Sequence, residues 1–285
     1  MRDGINLKMQ AMKKIAFAGI ITLAGIAGLS FQGKNNFSDF DNNAEAKELP
    51  VATNIAFKRG EKLSFRLSYG FIDAAVATLA VTDENLEFGK RSTFHIVDIG
   101  SSNGISDWFF KVRDRYESYI DEKALVPWMF IRRVDEGGYK FSQDYVFNHY
   151  NNKVKTDKDK VFDVTPNIQD MISAFYNARN LDLSQAKVGD IYTVDCFLDE
   201  QIFPIKIKFV GRENVKNDLG TFKCLKFRPI VQKGRIFKHE EDLNIWISDD
   251  ANHIPVKGQA DILFGSVKVQ LTDYSGLANP VAKIK

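Results

Sequence analysis

This sequence predicts a mainly β fold: a curved antiparallel sheet or partly open β-barrel, covered by one amphipathic helix at about 166–179. Three observations carry that expectation. Apolar residues recur with period two in five segments, turn-forming clusters separate those segments, and a single stretch switches to helical spacing. The alternation also selects the sheet type. Strands of a parallel sheet are covered on both faces and read as continuous apolar runs, whereas here one face is dry and the other wet.

The elements follow in chain order. Leu63, Phe65, Leu67 and Tyr69 alternate with Lys62, Ser64, Arg66 and Ser68. Tyr139, Phe141, Tyr145 and Phe147 repeat the pattern, as do Phe203, Ile205, Ile207 and Phe209, then Leu243, Ile245 and Ile247, and finally Val267, Val269 and Leu271. Between them stand turn signals such as Phe88-Gly89-Lys90, Glu136-Gly137-Gly138, Asn217-Asp218-Leu219-Gly220 and Asp249-Asp250-Ala251-Asn252. Roughly ten to thirteen strands result. Ile168, Met171, Ile172, Phe175 and Tyr176 have helical spacing, with Thr165 as N-cap and Pro166 in the first turn. A second, shorter helical turn is expected over 105–110. One helix of about a dozen residues cannot cover so long an apolar face, so the sheet must curl on itself.

Two lysines, Lys13 and Lys14, precede the 17-residue uncharged run Ile15–Phe31, the pattern of a secretory signal, assigned to residues 1–30. An uncleaved anchor is the competing reading, and only in that case is membrane contact expected, through this segment. Ile26 stands where a lipid-modified cysteine would be needed, so a lipoprotein is not expected. The polar stretch 31–56 reads as a flexible linker, 57–277 as a single β-rich domain and 278–285 as a C-terminal tail. An exported chain of this kind belongs in the periplasm, or the periplasm-facing envelope, of a Gram-negative type of bacterium.

The charge balance, 39 Lys+Arg against 37 Asp+Glu, offers no basic field for nucleic acid. All of the slight excess lies in the signal itself, where Arg2, Lys8, Lys13 and Lys14 face only Asp3. With 23 Phe, the composition favours pleated surfaces or an aromatic-lined cavity over a helical bundle. The cysteines, Cys196 and Cys224, lie in segments read as nearby strands, so a disulfide is one reading and two buried small hydrophobes the other. His95, His149, His239 and His253 are too far apart for a helical zinc motif, and no nucleophile elbow or phosphate-binding glycine loop occurs. No catalytic residue, metal ligand or cofactor is assigned.

Trp108-Phe109-Phe110 followed by Arg113 and Arg115, with Arg132 after the next apolar strand, forms the candidate ligand-contact set. Rings beside cations suit a cavity mouth that takes an amphiphile or anion, and equally suit core rings next to paired surface charges. Arg179, one helical turn from Tyr176, would meet Asp182 or a sheet acid.

Several blocks occur in an order that resembles the bacterial exported family called domain of unknown function 3108: Gly60 to Ile72, Val112 to Ser118, Leu125-Val126-Pro127, Asp170 to Arg179, Gly220 to Cys224, Trp246 to Asp250 and Ile254-Pro255-Val256. The resemblance implies an exported β-rich envelope protein with no agreed activity and no site residues to carry over. The leading functional expectation is therefore a non-catalytic envelope protein binding a lipid-like or polymeric envelope ligand in or on the curved sheet. The alternatives are a glycan- or cell-wall-acting hydrolase or lyase, using Asp114 with Glu117 or Asp249 with Asp250, and an assembly subunit that receives a protein partner on exposed β-edges.

Overall fold

A computed structural model describes residues 48–284 except 89, 231–242 and 263–264. The signal segment 1–30, most of the linker and His239 lie outside the described residues. The strands are β1 (Lys62–Tyr69), β2 (Ile72–Phe88), β3 (Arg91–Ser102), β4 (Arg113–Asp121), β5 (Pro127–Glu136), β6 (Tyr139–Asn148), β7 (Lys153–Thr156) and β8 (Val161–Asp163). There follow β9 (Ile191–Leu198), β10 (Gln201–Asn217), β11 (Gly220–Pro229), β12 (Leu243–Ser248), β13 (Pro255–Ile262), β14 (Gly265–Ser275) and β15 (Lys283–Ile284). Helix α1 (Gly104–Phe109) joins β3 to β4, and α2 (Met171–Ala178) lies between β8 and β9. Fifteen strands exceed the ten to thirteen expected, because β7, β8 and β15 are too short to show a period.

All strands form one open antiparallel sheet in the order 8-7-6-5-4-3-2-1-14-13-12-11-10-9, with β15 beside β11. The expected curved sheet with a covering helix is the observed architecture. The core runs along the sheet's inner face, where Leu63, Phe65, Ile96, Phe130 and Tyr145 are fully buried and Ile172 and Tyr176 of α2 pack onto them. Each such side chain contributes roughly 1.5–3 kcal/mol by leaving water.

Helix α2 is shorter than expected and starts later. Asn167 adopts φ +60°, so 166–169 is not helical, and Gln169 instead pairs in parallel with Cys196 of β9. The N-cap is Asp170, whose carboxylate accepts from the Ile172 and Ser173 N–H groups at 2.7 and 2.8 Å and from Ser118 Oγ at 2.6 Å. A capping carboxylate tied to β4 fixes where the helix sits, which outweighs the Thr165-Pro166 signal.

The two ends of the sheet differ. At one end, the closed end, the β2–β3 and β4–β5 connections bury Phe88, Ala124, Val126 and Trp128 with Leu49. Residues 48–56, the last part of the predicted linker, run across this end: Ala52 N–H donates to Lys123 O at 2.7 Å, and Ile55 and Ala56 donate to Asn180 Oδ1. The predicted tail likewise supplies β15, where Lys283 pairs with Phe222. At the other, open end lie the β1–β2, β3–β4, β5–β6, β7–β8 and β9–β10 connections.

The edge strands β8 and β9 approach each other through side chains. Phe162 and Tyr145 meet Phe197, Lys160 pairs with Glu200 at 2.6 Å, and Arg132 pairs with Asp199 at 3.1 Å. Asp199 and Glu200 make the tight β9–β10 turn, both at positive φ (48° and 61°).

The disulfide reading is overturned: Cys196 and Cys224 are buried free thiols. Cys196 faces Phe203 of β10 and Cys224 faces Glu213, ten residues further along the same strand. At 3.3 Å per residue that is roughly 30 Å along β10, far beyond the ~7 Å Cα limit for a bridge.

Candidate functional site

The strand register brings a row of polar side chains together on the inner face. Asp98 of β3 is opposite Tyr116 of β4, Tyr116 opposite Arg132 of β5, and Arg132 opposite Gln143 of β6. The rows on either side contain Ile96, Ser118, Phe130 and Tyr145, and Gly100 and Asp114. The polar row is therefore set into an apolar wall. The Arg132 guanidinium lies 5.7 Å from the Tyr116 ring and 5.2 Å from that of Phe141, and its end reaches Asp199.

These groups are buried and incompletely partnered. Asp98 Oδ1, Asp114 Oδ2, Arg132 Nε and Gln143 Oε1 have no hydrogen-bond partner, although the Asp135 N–H donates to Asp114 Oδ1 at 2.7 Å. An unmatched buried polar atom costs about 1–3 kcal/mol, so three in one row, with Asp114 in the next, need an explanation. Burial, and then the nearby Asp114 carboxyl, push Asp98 well above the usual carboxylate range. Burial, reinforced by the Glu136 carboxyl beside it, raises Asp114 to about 8, and burial raises Glu136 as well. Asp114 and Glu136 are thus poised to share a proton, and the row beside them offers a polar group both acceptors and the Arg132 donor.

The candidate contacts from the sequence divide among three places. Trp108 and Phe109 of α1 are exposed at the open end, edge to face with ring centroids 5.0 Å apart. Phe110 is buried, its ring against Gly137 of the β5–β6 turn. Arg113 and Arg115 lie on the outer face, opposite in phase to Tyr116: Arg113 Nη1 meets Asp107 at 2.6 Å and Arg115 Nε meets Glu117 at 2.6 Å. Only Arg132 enters the inner row. On the outer face, burial would raise Glu117, but bonds from His95 and Arg115 hold it down at about 2.

The acid pairs considered for hydrolysis do not converge. Asp114 faces inward and Glu117 outward, while Asp249 pairs with Arg212 and Asp250 accepts from Ser248, Asn252 and the Ala282 N–H at the β12–β13 corner. Sequence reasoning missed Asp98, Tyr116 and Gln143. Their signal is phase, since Asp98 follows Phe94 and Ile96 at spacing two and Gln143 sits between Phe141 and Tyr145.

Compared with known families, residues 64–272 match the one described as "Protein of unknown function (DUF3108)". Among curated proteins none matches this sequence. Among solved structures, a β-barrel-like protein of domain of unknown function DUF1849 from Brucella abortus is similar at TM-score 0.49 and 9% identity, over 79% of this chain and 99% of that one. A candidate exported protein with a YmcC-like fold from Bacteroides fragilis and a candidate lipoprotein from Parabacteroides distasonis are each similar at TM-score 0.29 and 12% identity, over 80% of this chain and 99% and 100% of theirs. Likenesses this distant carry no functional inference.

Proposed function

The chain belongs to the family of unknown function DUF3108, and from that premise we propose that it is an exported, non-catalytic protein of the Gram-negative cell envelope that binds a lipid-like amphiphile on the inner face of its sheet. The polar head of the ligand engages the row Asp98, Tyr116, Arg132 and Gln143, and its apolar part lies along the neighbouring ring-rich wall. The observation that carries this reading is the set of three orphaned buried polar atoms, Asp98 Oδ1, Arg132 Nε and Gln143 Oε1, aligned in one row across β3 to β6. Export rests on the signal pattern at residues 13–31.

Access runs through the seam between β9–β10 and the β5–β8 side, because the row is closed over by the Asp199–Glu200 turn. Side-chain contacts hold that turn down: Arg132–Asp199, Lys160–Glu200 and the Glu200 N–H to Tyr145 Oη at 3.2 Å. Exposed ion pairs of this kind are worth about 0–1 kcal/mol each, so opening costs little.

The test is native extraction of the protein from a Gram-negative envelope, followed by lipid and glycan mass spectrometry and titration with a fluorescent fatty acid. Wild type is expected to carry an exchangeable amphiphile, and the Asp98→Leu/Gln143→Leu variant, which removes two of the orphaned groups, to lose at least tenfold in probe affinity. A wild-type protein with no co-purifying amphiphile and no saturable probe binding overturns the proposal.

A further inference from the structure

Among the described residues, five large aromatic side chains stand exposed: Phe71 (97%), Trp108 (83%), Phe109 (62%), Tyr139 (58%) and Phe203 (49%). All five lie at the open end. Phe71 is in the β1–β2 turn, Trp108 and Phe109 are in α1, Tyr139 begins β6, and Phe203 follows the β9–β10 turn. The closed end has none. Burying aromatic area is the largest gain available to such residues, so rings from four separate connections left in water at one end mark a contact surface.

The rings are held rather than loose. Ser102 Oγ donates to Asp107 at 2.6 Å and accepts from the Val112 N–H at 2.8 Å, and Arg113 closes the knot on Asp107 at 2.6 Å, pinning α1 to the ends of β3 and β4. Phe110 plugs against Gly137 beneath it. The exposed acids nearest the rings are paired, Asp73 with Arg66, Asp199 with Arg132 and Glu200 with Lys160, while Lys111, which follows the rings of α1, has no ion-pair partner among the described residues. Exposed rings at or beside four connections of one end, with Lys111 next to those of α1, match the interfacial layer of a membrane, where aromatic side chains settle at headgroup level and lysines meet lipid phosphates.

We infer that this open-end rim docks on the surface of an anionic lipid bilayer. The inference does not depend on the inner row binding an amphiphile, although the two are adjacent. It adds a membrane contact made by the folded body, separate from any made by residues 1–47.

The chain's three tryptophans make the test specific. Trp128 and Trp246 are buried and Trp108 is exposed, so quenching by brominated lipid reports immersion of the rim even if the N-terminal apolar run binds vesicles by itself. The full-length protein is mixed with vesicles of brominated phosphatidylcholine, with and without 30% phosphatidylglycerol, in low and in high salt. The expected result is a blue shift and quenching of Trp108 with the anionic vesicles, reduced severalfold by 0.5 M salt. The Phe71→Ser/Phe109→Ser variant, which keeps the fluorophore, should lose at least tenfold in quenching at given lipid, with Lys111→Glu intermediate and both variants melting as wild type does. Vesicle-bound protein whose Trp108 stays unquenched overturns the inference. So does a Phe71→Ser/Phe109→Ser variant quenched like wild type, or crosslinking that shows the rim covered by a protein while lipid leaves it untouched.

Discussion

At the closed end, the Arg179 guanidinium is as deeply buried as any group in the chain, and every arm of it is used. It meets both carboxylate oxygens of Glu61 at 2.6 and 2.8 Å, Asn252 O at 2.9 Å and Ala56 O at 3.1 Å, and lies 5.0 Å over the Tyr176 ring. Toward the open end, Asp98, Asp114 and Gln143 are nearly as buried, yet each leaves an oxygen unmatched. The first arrangement joins the strap at 48–56, β1, α2 and the β12–β13 corner, so its groups serve one another. The second leaves part of each buried group's hydrogen-bonding capacity unused, which is the arrangement the proposed ligand would complete.

The contrast breaks most visibly at Arg179. Arg179→Met strands the Glu61 carboxylate in the core and is expected to cost about 3–5 kcal/mol in chemical denaturation. Glu61→Leu/Arg179→Met should recover most of that loss, because the uncompensated charge is gone. Asp114→Asn, by contrast, is expected to leave stability at pH 7 unchanged or raised. A loss as large as that of Arg179→Met would show that the open-end row is structural too.

A smaller effect sharpens the same comparison through pH. Asp114 has a folded pKa of about 8, above its unfolded value of about 4, so the folded state holds a proton that the unfolded state has released. Below about pH 4 both states are protonated and there is no penalty. Stability is expected to fall as pH rises from about 4 to about 8, and Asp114→Asn should flatten that slope in denaturant titrations across the window. The smallest effect concerns the cysteines. As free thiols set far apart along β10, they should leave the melting temperature unchanged when reductant is added, and a drop would signal a bridge.

The fold was legible because its signal is local. Leu63-Phe65-Leu67 and Phe141-Tyr145-Phe147 needed only the strand period, and the covering helix only the spacing of Ile172, Phe175 and Tyr176. Its N-cap is itself a local signal, Asp170 three residues before Ser173, but Thr165-Pro166 offered a competing one, and the Ser118 bond that ties Asp170 to β4 comes from 52 residues away. The grouping of Trp108 with Arg113, Arg115 and Arg132 failed for a related reason. Closeness in sequence says nothing about face, and odd and even positions of β4 point opposite ways. Asp98, Arg132 and Gln143 were visible one by one as polar residues in apolar phase, but only the register makes them a row.

The edges β8 and β9 face each other without a ladder of their own; Phe162, Phe197 and a few ion pairs draw them together, and the parallel bridge of Gln169 to Cys196 pins the chain after β8 to β9. A sealed barrel has a circumference fixed by its strand count. This sheet is instead like an overlapping cuff, whose girth is set at one seam by rings, salt bridges and the Gln169–Cys196 bridge rather than by a closed ladder of strands.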